Sequence, residues 1–246
     1  MNIQRLKLVN KMKQITIVFD NTSLQADLEP AFGFACVIEL DGKKILFDTG
    51  SDGSILIDNM LKLNHNPEDI ECVVISHDHW DHNGGLKHFT RINRKAKIFL
   101  PSSFSADFVK ELEQVGLTVH LVSASIMIAP GLYSTGEIPG AMNEQSLIIE
   151  SNLGGVLLTG CAHPGIVKIV QLCNSLSKRI TTTIGGFHLK HENQAAVESI
   201  VSTLKSLGVK HICPTHCTGE EAIGYFKEAY NAGYIQGGVG QVITIK

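Results

Sequence analysis

The sequence is poor in charge and in aromatic rings. Charged residues make up 18% of its 246 residues and aromatic residues 6%, with a single tryptophan. Charged residues still recur often enough that no window reaches the roughly 18 consecutive apolar residues of a membrane-spanning helix. The basic start, MNIQRLKLVNKMK, also lacks the apolar stretch of about 7–15 residues that a secretory signal contains. We therefore expect a cytoplasmic protein without a transmembrane segment.

Paired cysteines and an excess of basic charge are missing too. The six cysteines are spread along the chain without C-x-x-C spacing. Because a cytosol keeps thiols reduced, we expect no disulfides. A formal net charge of −3 means that the chain lacks the excess of positive charge that would attract a nucleic-acid backbone. This charge weighs against a nuclease.

Short β-rich segments alternate with amphipathic segments along the chain. Eleven segments have the composition of strands: 14–19, 33–40, 43–47, 71–76, 96–100, 117–122, 145–150, 154–159, 180–184, 209–214 and 241–245. Six segments carry apolar residues at three- and four-residue spacing and are predicted helices: 54–63, 84–90, 104–115, 165–176, 193–207 and 219–230.

The order of these elements predicts the architecture. Hairpin-like strands dominate the first 50 residues and are followed by alternating strands and helices. A second β-rich stretch over 126–159 is again followed by alternating strands and helices. Two similar halves predict an α/β fold of two mixed sheets packed face to face, with helices outside. No linker or repeat divides the chain. We expect a single domain over residues 14–246, after a disordered or edge extension over residues 1–13.

The motif VVISHDHWDHNGGL carries three of the 11 histidines of the chain. It ends a predicted buried strand, and in an extended continuation alternate side chains project to one side, so His77, His79 and Asp81 are expected to converge. His82 precedes a glycine turn that would fold it back towards them. Packing these groups together without a partner would cost several kcal/mol, a cost that a divalent cation removes. The motif therefore favours a metal site over a solvated polar loop.

Donor residues also follow three later predicted strands. His163 lies in LLTGCAHPG, His216 in ICPTHCTG and His188 in TIGGFHL. Each motif has an apolar strand, then small residues, then a donor, which places the donors along one rim of the sheets. We predict that His163 and His216 are metal ligands and that His188 is either a ligand or a substrate contact.

The sequence leaves two possible roles open for each of two residues near these motifs. Cys161 is either a metal ligand or an inert buried thiol. Asp48, in KILFDTG, either hydrogen-bonds the ligand loop and orients its histidines or simply forms a turn. Cys213 and Cys217 are predicted to be packing or loop residues.

The motif HDHWDH, preceded by LFDTG and followed by the strand-end residues His163 and His216, resembles the metallo-β-lactamase superfamily over most of the chain. The resemblance implies a four-layer αββα sandwich with a one- or two-metal site on one edge. Within the superfamily, TGCAHPGI, GGFHL and PTHCTG together resemble the branch of dihydropterin ribofuranosylaminobenzene-phosphate synthase-like proteins, otherwise described as metal-dependent hydrolases of β-lactamase superfamily II.

The resemblance also implies two sets of ligands. The first ion would be held by His77, His79 and His163, and the second by Asp81, His82 and His216. Zinc is the expected metal, with iron, manganese and magnesium as alternatives, at one or two ions per chain. Most superfamily hydrolases carry a further ligand histidine before the LLTG strand, where this chain offers Glu137 and Asn143. They also carry a bridging aspartate after that strand, where this chain has Cys161.

A metal-dependent hydrolase or a pterin-related synthase is the function that the resemblance implies. The metal would activate water or stabilise a phosphate or pyrophosphate leaving group. Asp81 would orient the nucleophile, and His188 would contact the leaving group or the oxyanion. The expected partner is a small-molecule substrate that bears phosphate, with neither nucleic acid nor a membrane as a partner. The alternatives are a nuclease and a non-catalytic metal sensor or redox protein on the same fold.

Phe32 and Phe34, in EPAFGFA, occupy a segment that often faces the pocket in the branch. They would either stack against a flat ring such as a pterin or begin a core strand. We favour the core.

Overall fold

The structure is a computed structural model that describes residues 13–176 and 178–246. The predicted extension over residues 1–13 lies outside the described residues except for Lys13, where the first strand begins. All eleven predicted strands and six predicted helices are present, with ends displaced by at most two residues.

The first sheet has seven strands among the described residues, in the order β13-β1-β2-β3-β4-β5-β6. The bounds are β1 Lys13–Phe19, β2 Ala35–Leu40, β3 Lys43–Phe47, β4 Ile70–Val74, β5 Lys97–Pro101, β6 Val119–Val122 and β13 Val242–Ile245. Pairing is antiparallel from β13 to β3 and parallel from β3 to β6.

The second sheet repeats this arrangement with six strands, in the order β12-β11-β10-β9-β8-β7. The bounds are β7 Ala124–Ala129, β8 Leu132–Gly136, β9 Leu147–Ile149, β10 Gly155–Thr159, β11 Ile180–Gly186 and β12 His211–Thr215. Pairing is antiparallel from β7 to β10 and parallel from β10 to β12. The two similar halves expected from the order of elements are therefore two similar sheets.

Helices cover the outer face of each sheet. Their bounds are α1 Gly53–Lys62, α2 Trp80–Asn83, α3 Leu86–Ile92, α4 Ala106–Gln114, α5 Ile166–Ser175, α6 Gln194–Ser206 and α7 Glu220–Tyr230. Helices α1, α3 and α4 pack on the first sheet, and α5, α6 and α7 pack on the second. None of the helices in the described part of the chain is both long and apolar enough to cross a membrane.

Alternate residues of the central strands face different cores. Ile45 and Phe47 of β3 lie in the core between the two sheets, whereas Leu46 packs against the helices. Likewise Leu158 of β10 faces the other sheet and Leu157 faces the helices. Because both faces of these strands are buried, their sequences contain continuous apolar runs instead of alternating apolar and polar residues. The predicted four-layer αββα sandwich of two mixed sheets is confirmed.

Two strands and one helix in the described residues have no individually predicted bounds: β7, β8 and α2, although β8 and most of β7 lie in the stretch over 126–159 that is predicted to be β-rich. Strand β7 lies at the edge of its sheet among the described residues, paired with β8, and its apolar side chains stay largely exposed, with Met127 61% accessible. The segment therefore lacks the alternation that predicts a half-buried strand. Helix α2 has four residues, which is too short for a 3.6-residue pattern.

The loops of both sheets meet at one rim. Parallel strands β3 and β4 end there in the first sheet, as do β10, β11 and β12 in the second. The backbone N–H of Gln145, which precedes β9, donates to the carbonyl of Ser76, which follows β4, at 2.9 Å. This bond fastens the rim of one sheet to the rim of the other beside the histidine motif.

Candidate metal centre

The histidine motif changes from extended chain to helix at its centre. His79 is the extended residue before α2, and the backbone N–H of His82 donates to the carbonyl of His79 at 3.0 Å. The expectation that Asp81 continues an extended chain and that a glycine turn returns His82 is therefore wrong. One helical turn brings Asp81 and His82 back to the rim instead, and both are buried.

The structure brings His77, His79 and His163 together as a first triad. One ring nitrogen from each lies within 4.8 Å of the other two, and Nε2 of His77 is 3.0 Å from Nδ1 of His79. Burial and the neighbouring charge of His82 hold the pKa of His77 well below its ordinary value. A neutral imidazole is the form that binds a metal ion.

Asp81, His82 and His216 form a second triad. Their ligand atoms also lie within 4.8 Å of one another, and Oδ2 of Asp81 is 3.2 Å from Nε2 of His216. Burial and the charge of His216 lower the pKa of His82 to about 3. Burial opposes ionisation of Asp81, but its hydrogen bond with His216 and the charge of His82 outweigh it and lower the pKa. The triad thus offers imidazole nitrogen and a carboxylate, which are usual ligands of zinc.

Asp48 and Ser76 hold one histidine of each triad. Asp48 Oδ2 lies 2.7 Å from Nδ1 of His82, and its carboxylate also accepts the Ser76 N–H at 2.6 Å and the Ser76 hydroxyl at 2.7 Å. The Ser76 Oγ lies 2.8 Å from Nδ1 of His77. Of the two interpretations of Asp48, the structure therefore supports orientation of the ligand loop. The role of Ser76 is not predicted, because a serine after a strand carries no distinctive signal.

Glu144 is the main residue of the site that no sequence pattern indicates. Its carboxylate is fully buried, and Oε1 accepts the backbone N–H groups of Gly160, Cys161 and Ala162 at 2.9–3.1 Å. Oε2 accepts the N–H of His163 and lies 2.9 Å from its Nδ1. One carboxylate thus fixes the loop after β10 and turns the other ring nitrogen of His163 towards the first triad.

Glu137 and Asn143, the two residues considered in place of a further ligand histidine, are not in either triad. Glu137 accepts from Asn143 at 2.7 Å and from the hydroxyl of Ser102 at 2.8 Å. Their hydrogen bonds fasten the loop between β8 and β9 to the loop after β5.

His216 is held from the first sheet. Asn21 Oδ1 lies 3.0 Å from Nδ1 of His216 and also accepts the N–H of Gly33 at 3.1 Å. Asp20 Oδ1 accepts the N–H of His216 at 3.3 Å. Neither residue is predicted, because they lie almost two hundred positions from His216 along the chain.

Left-handed backbone recurs around the rim. Asp48, Ala162, His188 and His216 all have positive φ, between 49° and 58°. Such conformations are uncommon for residues other than glycine, and they cluster at functional sites where the surrounding structure holds them in place.

A family model of the metallo-beta-lactamase superfamily matches residues 28–112, which include the whole histidine motif. The resemblance to this superfamily is confirmed. The chain is 29% identical to the 7,8-dihydropterin-6-methyl-4-(beta-D-ribofuranosyl)-aminobenzene-5'-phosphate synthase of Methanocaldococcus jannaschii, across 96% of this chain and 97% of that protein. It is 34% identical to an N-acyl homoserine lactonase of a Bacillus species, across 41% of this chain and 42% of that protein.

Solved structures share the metallo-β-lactamase fold. A crystal structure of a metal-dependent hydrolase of the β-lactamase superfamily superposes with a TM-score of 0.80 at 25% identity, across 95% of this chain and 99% of that one.

Two cysteines and His188 surround the triads. Cys161 is buried, with Sγ 3.2 Å from Nε2 of His82. A hydrogen bond with Cys217 and burial hold the pKa of the Cys161 thiol well above its ordinary value. Cys217, predicted to be a packing or loop residue, lies in the turn after β12, and its sulfur is within 4.8 Å of the ligand atoms of Cys161 and His216. His188 is exposed, with its ring centroid 4.6 Å from that of His163.

A cavity of about 680 Å³ opens beside the second triad, lined in part by Asn21, Phe32, His188, Lys190, His216 and Gln236. Phe34 is fully buried, as expected of a core residue, but Phe32 is 48% exposed and the core prediction for it is wrong. Its ring stacks on Trp80, which is 64% exposed, with centroids 5.9 Å apart. The centroid of Phe32 lies 4.9 Å from that of His216. An aromatic surface therefore adjoins the second triad.

Proposed function

We propose that the chain is a metal-dependent enzyme, a hydrolase or a pterin-related synthase, that acts on a small molecule bearing phosphate. The observation that supports this proposal is the pair of adjoining triads, each with its ligand atoms within 4.8 Å of one another. Zinc is the proposed metal, held first by His77, His79 and His163 and second by Asp81, His82 and His216.

The ligand set fits divalent metal in a catalytic site. It mixes imidazole with carboxylate, and the exposed rim beside it leaves room for substrate, whereas structural zinc is usually closed by four cysteine or histidine ligands. A divalent ion there supplies Lewis acidity, which activates water and stabilises negative charge that develops on a substrate.

Asp81 and His188 are the proposed catalytic side chains. Asp81 stays ionised beside His216 and is able to accept a hydrogen bond from an attacking water or hydroxyl group and so orient it. His188 lies at the open edge of the first triad, where it would donate to a leaving group or to an oxyanion. The hydrogen bond of His188 with Cys217 raises the pKa of the imidazole, which favours the donor form.

Two observations support a phosphate-bearing substrate with a flat ring. The synthase of M. jannaschii, which is named for a dihydropterin and a phosphate, is similar to this chain across nearly its whole length. In addition, the cavity combines the Phe32 ring with Lys190 and His191, which would contact a ring and an anionic group respectively.

Metal content and turnover test the proposal together. Protein purified without added metal would be analysed for metal, and hydrolysis of an activated phosphodiester, a lactone and a dihydropterin diphosphate would be followed with and without a chelator. We expect about one to two equivalents of metal, turnover of at least one substrate and its loss on chelation. His79→Ala should lower both, whereas His211→Ala, exposed at the far end of β12, should leave both unchanged.

Two results would contradict the proposal. Less than about a tenth of an equivalent of bound metal after soaking with zinc, iron and manganese would show that the triads do not form a metal site. Full metal content without turnover of any tested class would instead favour the non-catalytic sensor or redox protein.

A further inference from the structure

The sulfur of Cys161 lies between the two triads. Its Sγ, a ring nitrogen of His77 in the first triad and a ring nitrogen of His82 in the second all lie within 4.8 Å of one another and form one set of possible ligand atoms. A second such set contains Cys161 and His163, and a third contains Cys161 and His216. In the described part of the chain, the set with His77 and His82 is the only one that combines members of both triads, and Cys161 is its one member from outside the triads.

The backbone of Cys161 is fixed in this position. Its N–H donates to the buried carboxylate of Glu144 at 3.0 Å. The preceding Gly160 is confined as well, because a Cβ there would lie 2.1 Å from the hydroxyl oxygen of Ser76. On the far side, Gly186 leaves room for the cysteines, since a Cβ there would lie 2.6 Å from the sulfur of Cys217. The backbone that carries the Cys161 side chain is thus held by contacts with both sheets.

We propose that Cys161 supplies a thiolate shared by both metal ions, in the position where the superfamily resemblance leads one to expect a bridging aspartate. The proposal rests on the proposed function to the extent that it requires metal at both triads. Binding would convert the thiol to a thiolate and release its proton to solvent, so metal uptake and proton release are linked. Sulfur is a softer donor than carboxylate oxygen, so this ligand would select zinc over magnesium or manganese.

Cys217 fits this role less well than Cys161. Its sulfur shares a set of ligand atoms with His216 and Cys161 only, which places it beside the second triad and away from His77, His79 and His163. The proposal therefore assigns the shared ligand to Cys161 and predicts different behaviour for the two cysteines.

Cobalt absorption distinguishes these ligands without any measurement of activity. Metal-free protein would be titrated with Co²⁺, because cobalt bound to thiolate absorbs in the near ultraviolet, whereas cobalt bound to histidine and carboxylate absorbs only weakly in the visible. The proteins compared are the wild type, Cys161→Ala, Cys217→Ala and, as a control, Cys173→Ala, a buried cysteine of α5. Thermal melting of the metal-free variants would show that each is folded.

We expect the ultraviolet band in the wild type and in the Cys217 and Cys173 variants. Cys161→Ala should lose the band, keep visible absorption from its histidines and bind its second equivalent about 10–100-fold more weakly. Cys161→Asp should recover the second equivalent without the ultraviolet band, because it restores a bridging donor without sulfur.

Three results would overturn the inference. An ultraviolet band that survives in Cys161→Ala, or one that disappears in Cys217→Ala alone, would assign the thiolate elsewhere. Visible absorption in the wild type without an ultraviolet band would exclude a thiolate ligand while leaving the metal site of the proposed function intact. No cobalt absorption of either kind would contradict both proposals.

Discussion

At the scale of single residues, orientation of the histidines depends on hydrogen-bond acceptors that are buried (Asp48 and Glu144) or half-buried (Asn21). Asp48, Glu144 and Asn21 each engage one ring nitrogen of a triad histidine and leave the other directed into the site. Each acceptor also binds backbone N–H groups of a neighbouring loop or strand end. The same group therefore fixes both the loop and the ring, so its loss should affect metal affinity as well as folding.

Glu144→Gln tests this coupling. The amide keeps one acceptor oxygen but loses the charge that four backbone N–H groups and His163 now share. We expect metal affinity to fall about 10–100-fold, with a lower melting temperature of the metal-free protein. Titration with a metal-sensitive dye measures the first effect and thermal melting the second. Glu137→Gln, on the same segment but hydrogen-bonded to Asn143, is the control, and equal affinities in the two variants would refute the role of Glu144.

Trp80 provides a direct readout of ring binding, since it is the single tryptophan of the chain and stacks on Phe32. A pterin monophosphate should change the fluorescence of Trp80 as it binds. Phe32→Ala should weaken that binding about 3–10-fold, because an aromatic pair contributes about 0.5–1.5 kcal/mol. Leu153→Ala removes a side chain that is 66% exposed between β9 and β10 and should leave binding unchanged. Unchanged affinity in the Phe32 variant would argue against an aromatic ring site.

Asp20 should make the metal-free protein sensitive to pH. Its Oδ2 is buried without a hydrogen-bond partner among the described residues, and burial raises the pKa of Asp20 from 3.8 to about 7. Because the folded pKa is the higher one, the protonated carboxyl stabilises the fold at low pH. This stabilisation is complete below about pH 4 and is lost as the pH rises through about 7.

Melting temperatures of chelator-treated protein between pH 4 and 8 would measure this effect. Relative to Asp20→Asn, the wild type should lose stability as the pH rises, by on the order of 1–4 kcal/mol. Asp58→Asn, at an exposed position of α1, should follow the wild-type profile. Parallel curves for the wild type and Asp20→Asn would show that Asp20 does not titrate in this range.

At the scale of elements, close approach of the two rims requires small residues. The loop after β10 passes so near the loop after β4 that a Cβ on Gly160 would lie 2.1 Å from Ser76 Oγ and 3.0 Å from Asp48 Oδ2. The sequence TGC after a strand is thus a packing requirement as well as part of a motif. It brings the Cys161 and His163 loop within reach of the histidine motif.

Gly160→Ala should therefore separate the two triads. We expect a loss of about 1–3 kcal/mol in the free energy of unfolding, the usual cost of overpacking, together with reduced metal content. Gly224→Ala is the matched control, because Gly224 lies within α7 with open space around it and alanine there should stabilise by roughly 0.5–1 kcal/mol. Chemical denaturation measures both changes, and a neutral Gly160→Ala would show that the loops are able to move apart.

At the scale of the whole molecule, the candidate metal site joins the two sheets. His77, His79, Asp81 and His82 follow β4 of the first sheet, whereas His163 and His216 follow β10 and β12 of the second. Since the unfolded chain separates these donors widely, an ion bound here would bind the folded state preferentially and stabilise it.

Removal of metal should therefore lower the melting temperature. An ion present at a hundred times its Kd contributes about 2.7 kcal/mol, which corresponds to about 5–10 °C for a chain of this size. Calorimetry of the protein before and after chelation would measure the shift, and readdition of zinc should reverse it. The shift should be smaller in His79→Ala and unchanged in His211→Ala. A melting temperature that is indifferent to chelation would contradict a metal site between the sheets.

The sequence by itself determined the elements and the donors that lie close together in the chain. Buried strands such as β3 and β4 read as apolar runs because both their faces are covered, and His77, His79 and Asp81 stand out because their spacing is local. The strand-end positions of His163 and His216 were predictable because parallel strands end at a common edge. The superfamily resemblance depended on these same motifs.

Only the tertiary structure decided which residues support the donors and what surrounds them. Asn21 lies 195 positions from His216, and Cys161 lies 79 positions from His82, so neither contact leaves a local pattern. Phe32 and Phe34 have similar sequence surroundings, yet one lines the cavity and the other is buried in the core. Glu144 is a lone acid in the sequence, and it becomes an acceptor for a whole loop only because the loop after β10 folds around it. Local spacing fixes what lies within one turn or strand, whereas these contacts depend on how two sheets pack.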